Sequence, residues 1–154
     1  MEVMSATAPS FDTVLAWHWR EWGHAEADAD VEEWRGRLAG RCRNDAIPFT
    51  LLAHIAADPV GCVTVCNEDR DPRFADHGPW LAGMIVVGPA RNLGVGRTLL
   101  RAAEQQASIF GASELWVYTS EAGPFYERCG WTFRHRKNGL RDVAVMVRER
   151  ALSA

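Results

Sequence analysis

The chain has 154 residues and a formal net charge of −3, a length that predicts one domain with a sizeable core. Hydrophobic residues make up 47% and charged residues 24%, as is ordinary for a globular protein. The 17 basic residues are dispersed, so we expect no nucleic-acid partner. The longest apolar run, WLAGMIVV, is too short to cross a bilayer, so we also expect no membrane partner.

The N-terminus and the cysteines together predict where the protein resides. The first ten residues, MEVMSATAPS, lack the charged segment and apolar run of a secretory signal. The four cysteines are then expected to be reduced thiols. We therefore expect a cytoplasmic protein.

The first forty residues predict two helices. Apolar residues follow helical spacing from Phe11 to Trp22, and Gly23 ends that spacing. The acidic stretch HAEADADVEEW leads into a second helix that ends near Gly40. His18 lies on the apolar face of the first helix, where a core or rim histidine is a better interpretation than a catalytic one.

Strand-forming sequences begin at residue 49. FTLLAHIA and VGCVTVCNE are apolar, β-branched runs, and Asp58-Pro59 between them predicts a hairpin. DRDPRFADHGP has the composition of a loop. WLAGMIVV predicts a buried strand that Gly88-Pro89 interrupts.

The remaining segments alternate between helices and strands. A helix is predicted from about Gly94 to Phe110, then the strand ELWVYT and a short helix in GPFYERCG. WTFRHR and DVAVMV predict two final strands joined by a turn at Asn138-Gly139. This order predicts a mixed α/β (α+β) fold, in which strands of one sheet flank a central helix.

The glycine-rich stretch PARNLGVGRTLL lies between a predicted strand and a predicted helix. Free N–H groups and the helix dipole make such a turn an anion site, where Gly94 and Gly96 permit close approach and Arg91 and Arg97 add charge. It is no dinucleotide fingerprint, because Leu99 stands where a third glycine is needed, and no Gly-Lys-Ser/Thr of a P-loop follows. On this stretch alone, a plain tight turn is an equally good interpretation.

A second motif decides between these interpretations. RNLGVG fits the pattern Arg/Gln-x-x-Gly-x-Gly/Ala, and AGPFYERCGW follows about thirty residues later. Together they resemble the GNAT superfamily of acetyl-CoA-dependent N-acetyltransferases, from about residue 10 to 148. The resemblance implies a single domain over 1–154, with a mixed, mostly antiparallel sheet flanked by helices and a splayed strand pair that holds acetyl-CoA.

The resemblance also implies the co-substrate and how it is held. Acetyl-CoA is the co-substrate, no metal is required, and backbone amides of the glycine loop bind the pyrophosphate. The tyrosine at position 126 is the general acid that protonates the departing thiolate, or else packs the short helix. Thr119 stands where many relatives have Asn, which alters one cofactor contact. The implied cofactor-binding residues are Ile85, Val86, Val87, Arg91, Asn92, Leu93, Gly94, Val95, Gly96, Arg97, Thr98, Thr119 and Tyr126.

The general base is not evident from the sequence. Many GNAT enzymes carry a glutamate near the start of the fourth strand, where this chain reads PWL. His77 or Asp76 is the preferred candidate, because their loop leads directly into that strand. Glu21, Glu121 and a chain of water molecules are alternatives, and each side chain also suits a solvated loop.

The acceptor is expected to be a primary amine that attacks acetyl-CoA directly in a ternary complex. The resemblance implies that the first two helices and the last hairpin build the acceptor pocket, so Glu21 and Trp22 are candidate substrate-binding residues. Residues 21–33 are rich in carboxylates, which favours a polyamine, an aminoglycoside-like molecule or a peptide amine. A solvated helix face explains them equally well. The alternative function is an inactive acetyl-CoA sensor or interaction module, and a homodimer stays open.

Overall fold

The computed structural model describes residues 1–68, 72–137 and 143–149. The helices are α1 (Phe11–Trp22), α2 (Val31–Ala39), α3 (Val95–Ile109) and α4 (Gly123–Arg128). The strands are β1 (Glu2–Val3), β2 (Phe49–Ile55), β3 (Asp58–Cys66), β4 (Trp80–Val86), β5 (Glu114–Thr119), β6 (Thr132–Lys137) and β7 (Val143–Glu149). No helix within the described ranges is both long and apolar enough to span a membrane.

All seven of these strands join one sheet in the order β1-β2-β3-β4-β5-β7-β6. Neighbouring strands are antiparallel except β4 and β5, which run parallel. The parallel pair is connected through α3, as a parallel crossover requires. The predicted mixed α/β fold with a mostly antiparallel sheet is therefore confirmed.

Two layers of helices cover the sheet because its strands are apolar on both faces. Leu51 and Val63 pack into the cluster that contains the buried residues of α3. Their neighbours Leu52 and Cys62 point the other way and pack against α1 and α2. The central strands therefore lie between α3 on one side and the α1–α2 pair on the other.

Local differences from the sequence prediction occur near the chain start and in the first hairpin. Strand β1 was not predicted, because two residues are too few to show a period. The hairpin turn lies at residues 56–57, since Ile55 pairs with Asp58 and the predicted Asp58-Pro59 turn residues begin β3. Ala56 makes this turn with a φ of 53°. The predicted Asn138-Gly139 turn and residues 69–71 lie outside the described residues.

Candidate active site

Strands β4 and β5 separate soon after they meet. They pair only through Trp80 with Trp116 and Leu81 with Val117. On its other edge β4 stays paired with β3 as far as Val86. The β4 edge that faces β5 therefore has unpaired backbone groups beyond Leu81, among the residues that the structure describes. This is the predicted splayed strand pair.

A bulge lies in β4 at the point where the strands separate. The β3–β4 register shifts between Cys62 and Thr64, opposite Gly83. Gly83 has a φ of 57°, and a Cβ added there would lie 2.7 Å from Cε1 of His18. Glycine is required on both counts, because the backbone is left-handed and an imidazole fills the side-chain space. Helix α1 therefore shapes β4 at the bulge.

His18 is a neutral group beside this bulge. Its residue is 4% exposed, its Nε2 lies 3.6 Å from Sγ of Cys62, and Trp22 contacts the ring edge-on at 5.3 Å. Burial, with a smaller contribution from the charge of Arg41, lowers the pKa of His18 to about 4. The prediction of a buried histidine is confirmed, and its imidazole is uncharged at neutral pH.

The glycine loop leaves a row of backbone donors free at the start of α3. None of the N–H groups of residues 92–97 has an acceptor among the described residues. Gly94 has a φ of 82° and Asn92 a φ of 63°, while Nε of Arg91 donates to the Val86 carbonyl at 3.0 Å and ties the loop to β4. Six N–H groups and a helix N-terminus together suit an anion.

Conformation, rather than crowding, accounts for glycine at position 94. A Cβ placed there would meet no atom within 4 Å. Its positive φ nonetheless disfavours most side chains. Behind it the Thr98 hydroxyl donates back to the Gly94 carbonyl at 3.0 Å, so that hydroxyl stabilises the helix start.

Tyr126 reaches the bulge from the opposite side of the sheet to His18. It is 4% exposed in α4, and its hydroxyl lies 3.9 Å from Sδ of Met84, the residue after Gly83. Burial, with a further contribution from Cys129, raises the pKa of Tyr126 well above its usual value. The phenol therefore keeps its proton, and a thioether is a weak acceptor, so the O–H is available to a stronger one.

The remaining predicted cofactor residues lie near the split. The hydroxyl of Thr119 accepts from the Ala122 N–H at 3.0 Å and so stabilises the turn into α4. Val86 packs with the α3-side core and Ile85 with the α1–α2 side, while Val87 contacts both. Their side chains thus belong to the core. The Val86 carbonyl already accepts from Arg91. The N–H of Val87 donates to the Val60 carbonyl at 3.0 Å, and its carbonyl accepts the Ala90 N–H at 2.9 Å, so Val87 has no free backbone group.

A cleft lies between α1–α2 and the separating strands. It consists of two adjoining cavities of about 630 and 140 Å³. His18, Gly83 and Trp22 line the smaller cavity, and Trp80 lines the larger. Glu21, the other predicted substrate residue, is exposed and lines neither. The residues common to both cavities are Glu26, Arg37, Arg41, Ala82 and Tyr118.

The sequence did not predict that Arg37, Arg41 and Tyr118 line the cleft. No motif marks them, because they come from separate segments that meet only in the fold. Alternation along β5 is the one signal that could have indicated Tyr118. It faces away from the neighbouring, buried Val117 and toward this cleft.

The structure does not bring the candidate bases into the cleft. His77 is exposed, stacks on Trp116 at 4.2 Å and accepts the indole N–H of Trp80 through its carbonyl at 2.8 Å. Asp76 and Glu121 are exposed as well, and none of these three lines either cavity. That His77 or Asp76 acts as the general base stays a prediction. Across the described ranges, no group of three histidine, cysteine, aspartate or glutamate side chains suits a metal ion.

Arginines pair with much of the acidic segment. Arg37 binds both Glu26, at 3.1 Å, and Glu33, at 2.7 Å. Arg35 pairs with Glu32 at 3.3 Å. Three carboxylates of this segment, those of Glu26, Glu32 and Glu33, are therefore paired with arginines of α2.

Solved structures share this fold across nearly the whole chain. An aminoglycoside 6'-N-acetyltransferase complexed with coenzyme A has a TM-score of 0.73 at 14% identity, covering 97% of each chain. Ribosomal-protein-alanine N-acetyltransferase from Brucella melitensis has a TM-score of 0.73 at 19% identity, covering 97% of this chain and 99% of that one. Aminoglycoside 6'-N-acetyltransferase from Enterococcus faecium has a TM-score of 0.70 at 13% identity, covering 97% of each chain.

Identities this low establish a shared fold and leave the acceptor open. No curated protein sequence matches the chain significantly. The sequence profile of the Acetyltransferase (GNAT) family matches residues 11–131, which include α1, the bulge in β4, the glycine loop and α4. The chain therefore belongs to the GNAT family of acetyltransferases.

Proposed function

We propose that the protein transfers the acetyl group of acetyl-CoA to the primary amine of a small cationic molecule or a peptide. The observation that carries the proposal is the arrangement along β4. Free N–H groups of residues 92–97 lie beyond one end of its unpaired edge, and the hydroxyl of Tyr126 lies at the bulge near the other end. Family membership and the coenzyme A complex of a structural neighbour support the same co-substrate.

We propose that two sets of backbone groups bind different parts of acetyl-CoA. Residues 92–97 bind the pyrophosphate, and the β5-facing backbone edge of β4 beyond Leu81, as far as Ile85 and Val86, pairs with the pantetheine arm. Val87 is left out of this pairing, because its backbone already bonds to Val60 and Ala90. The thioester then lies at the bulge, next to Gly83 and Met84. An amine in the cleft approaches it from the α1–α2 side, where His18 and Tyr118 lie.

The proposed reaction is one direct acyl transfer. The neutral amine attacks the thioester carbonyl carbon, and a backbone N–H near the bulge stabilises the oxyanion. The C–S bond breaks as the new C–N bond is retained, and Tyr126 gives its proton to the thiolate. The amine proton leaves the cleft along a chain of water molecules, and His77 or Asp76, outside the cleft, stays the proposed base that receives it. Holding both reactants along one strand supplies much of the rate.

Free-thiol release from acetyl-CoA over a panel of amines tests the proposal. The panel includes kanamycin, spermidine, amino acids and dipeptides, and thermal unfolding with acetyl-CoA reports binding separately. Acceptor-dependent thiol release is the expected result. Stabilisation by acetyl-CoA without release above hydrolysis would favour the sensor or interaction module instead. The cytoplasmic location and the homodimer stay predictions.

A further inference from the structure

Two arginines line both cavities of the cleft. Arg37 lies in α2 and Arg41 follows the end of that helix, and both line the same two cavities. Glu26 and Glu68 are the only carboxylates among the described lining residues of the two cavities. The charged lining is thus balanced rather than acidic.

Arg41 is held firmly at its backbone. Its N–H donates to the Leu38 carbonyl at 3.0 Å, and its carbonyl accepts the Thr50 hydroxyl at 2.9 Å. That hydroxyl also bonds Thr64 at 2.8 Å, and both threonines are fully buried. The Arg41 side chain is only 24% exposed, and its charge contributes to the lowered pKa of His18. The Arg41 guanidinium therefore contributes positive charge to the part of the cleft next to the bulge.

The present partner of Arg41 is easily exchanged. Glu68 pairs with it through Nη2, but the Glu68 side chain is 74% exposed. Exposed ion pairs contribute little stability, so Glu68 can turn into solvent at small cost. A ligand carboxylate could then form the paired hydrogen bonds that a guanidinium offers.

An unused donor lies in the same region. Trp34 lines the smaller cavity, and its indole N–H is buried without an acceptor among the described residues. The guanidinium of Arg37 lies over its ring at 5.6 Å. An indole N–H can only donate, so an oxygen atom of a ligand would satisfy its unmet hydrogen bond. The carboxylate of Glu26, in contrast, is already held by two bonds from Arg37, at 3.1 and 3.2 Å.

We infer that the acceptor carries a carboxylate close to its reacting amine, as an amino acid does, and that Arg41 binds this carboxylate with help from the indole N–H of Trp34. The inference rests on the proposed function, because it concerns the acceptor of the same acetyl transfer in the same cleft. It replaces the small cation of that proposal by an amine with a neighbouring carboxylate. A cavity of about 630 Å³ suits a small molecule. The amine faces the bulge, and the aromatic walls at Trp22 and Trp80 contact an apolar body.

Matched acids and amides test the inference. Thiol release is measured with L-phenylalanine and L-phenylalaninamide, with L-lysine and L-lysinamide, and with spermidine as a polycation. Rates are compared per neutral amine, because amidation lowers the pKa of the amine. The acid is expected to exceed its amide at least about tenfold in kcat/KM, as a charged hydrogen bond allows.

Substitutions of Arg41 and Arg43 test whether Arg41 causes the preference for the acid over the amide. Arg41→Gln should raise KM for the acids about 10- to 100-fold and leave the amides unchanged. Arg43→Gln is the matched control, because Arg43 pairs with Asp45 at 3.2 Å and lines neither cavity. If Arg41→Gln fails to fold, Arg41→Lys keeps the charge without the paired donors and should show the same selective loss.

Binding separates this inference from acetyl transfer. Calorimetric titration of coenzyme A-saturated protein with L-phenylalanine and its amide requires no turnover. Preference for the acid, lost in the Arg41 variants, supports the inference even if no amine is acetylated. Equal binding of acid and amide, no binding of either, or better turnover of amides or spermidine overturns it. Turnover of amides or spermidine would leave the proposed acetyl transfer intact.

Discussion

The two sides of β4 are built in different ways. On the α3–α4 side, one continuous segment supplies the glycine loop, and Tyr126 follows within a second short motif. On the α1–α2 side, the cleft is assembled from His18, Arg41, Gly83 and Tyr118, which come from four separate elements or loops. The first side offers backbone donors and the second offers side chains. A binding site made of backbone groups can therefore be recognised in the sequence as a local motif. A site made of side chains from separate segments cannot.

The two sides also differ in electrostatics. Residues 92–97 present N–H groups that no described residue satisfies. In the cleft, the lining carboxylates of Glu26 and Glu68 are paired with arginines, and His18 is neutral. The first side therefore suits phosphate directly, whereas a ligand of the second must exchange an existing ion pair.

The largest expected effect is on kcat and concerns Tyr126, which reaches the bulge from the α3–α4 side. Tyr126→Phe keeps the ring against Trp131 and removes only the hydroxyl. We expect kcat to fall about 10²- to 10⁴-fold, because a positioned general acid contributes about that much. Thermal stability should hardly change, since the described partner of the hydroxyl is the Met84 thioether. Steady-state kinetics with any acceptor that the panel identifies will measure this.

Tyr118→Phe is the matched control from the other side of β4. It removes the same group from the cleft, and kcat should stay within about threefold of the original value. Near-normal kcat in Tyr126→Phe would mean that solvent protonates the thiolate and that Tyr126 only packs α4.

The pH dependence of stability tests the neutral state of His18. Its pKa is about 4 in the folded protein and 6.5 in the unfolded chain, so the unfolded chain binds the proton first. The stabilisation of the folded protein that depends on an uncharged His18 is fully present above pH 6.5 and is lost as the pH falls through 4. This pKa difference corresponds to about 3 kcal/mol of unfolding free energy.

Denaturant unfolding of the original protein and of His18→Gln over this pH range gives the measurement. Contributions from other groups are common to both proteins, so the difference between the two curves isolates His18. Parallel curves would contradict the burial of a neutral imidazole at the bulge.

An isosteric pair of variants tests the glycine loop. Asp and Asn both tolerate the left-handed backbone at Gly94 better than most residues, so Gly94→Asp and Gly94→Asn differ chiefly in charge. At a concentration 100 times Kd, acetyl-CoA stabilises a protein by about 2.7 kcal/mol. We expect Gly94→Asp to lose this stabilisation and Gly94→Asn to keep most of it, as thermal unfolding will show. Equal loss in both would assign the effect to backbone strain.

The smallest effect is expected on the outer face of α2. Glu32 and Glu33 pair with Arg35 and Arg37, and their side chains are 67% and 54% exposed. Replacing both with Gln should change the acceptor KM by less than about twofold, because exposed pairs contribute little. A larger increase in KM, with a weaker salt dependence, would instead support the sequence prediction that this segment attracts a cationic acceptor.

Most of the fold could be predicted because its helices and longer strands have clear apolar periods. The ends of α3 were predicted within a residue, since Gly94 has the left-handed conformation that its sequence context suggests. The first hairpin turn was misplaced because Ala56 gives no turn signal, although it has a positive φ. Strand β1 has no period of its own and exists because it pairs with β2.

The sequence by itself determined the order of the elements, the glycine loop and the position of Tyr126, because local backbone preferences and short motifs encode them. Only the tertiary structure decided which side chains line the cleft and which charges are paired. One example is the pairing of Arg37 in α2 with Glu26, which lies before that helix. The pKa of His18 and the reach of Arg41 likewise depend on how α1 and α2 pack over β4, which no local segment specifies.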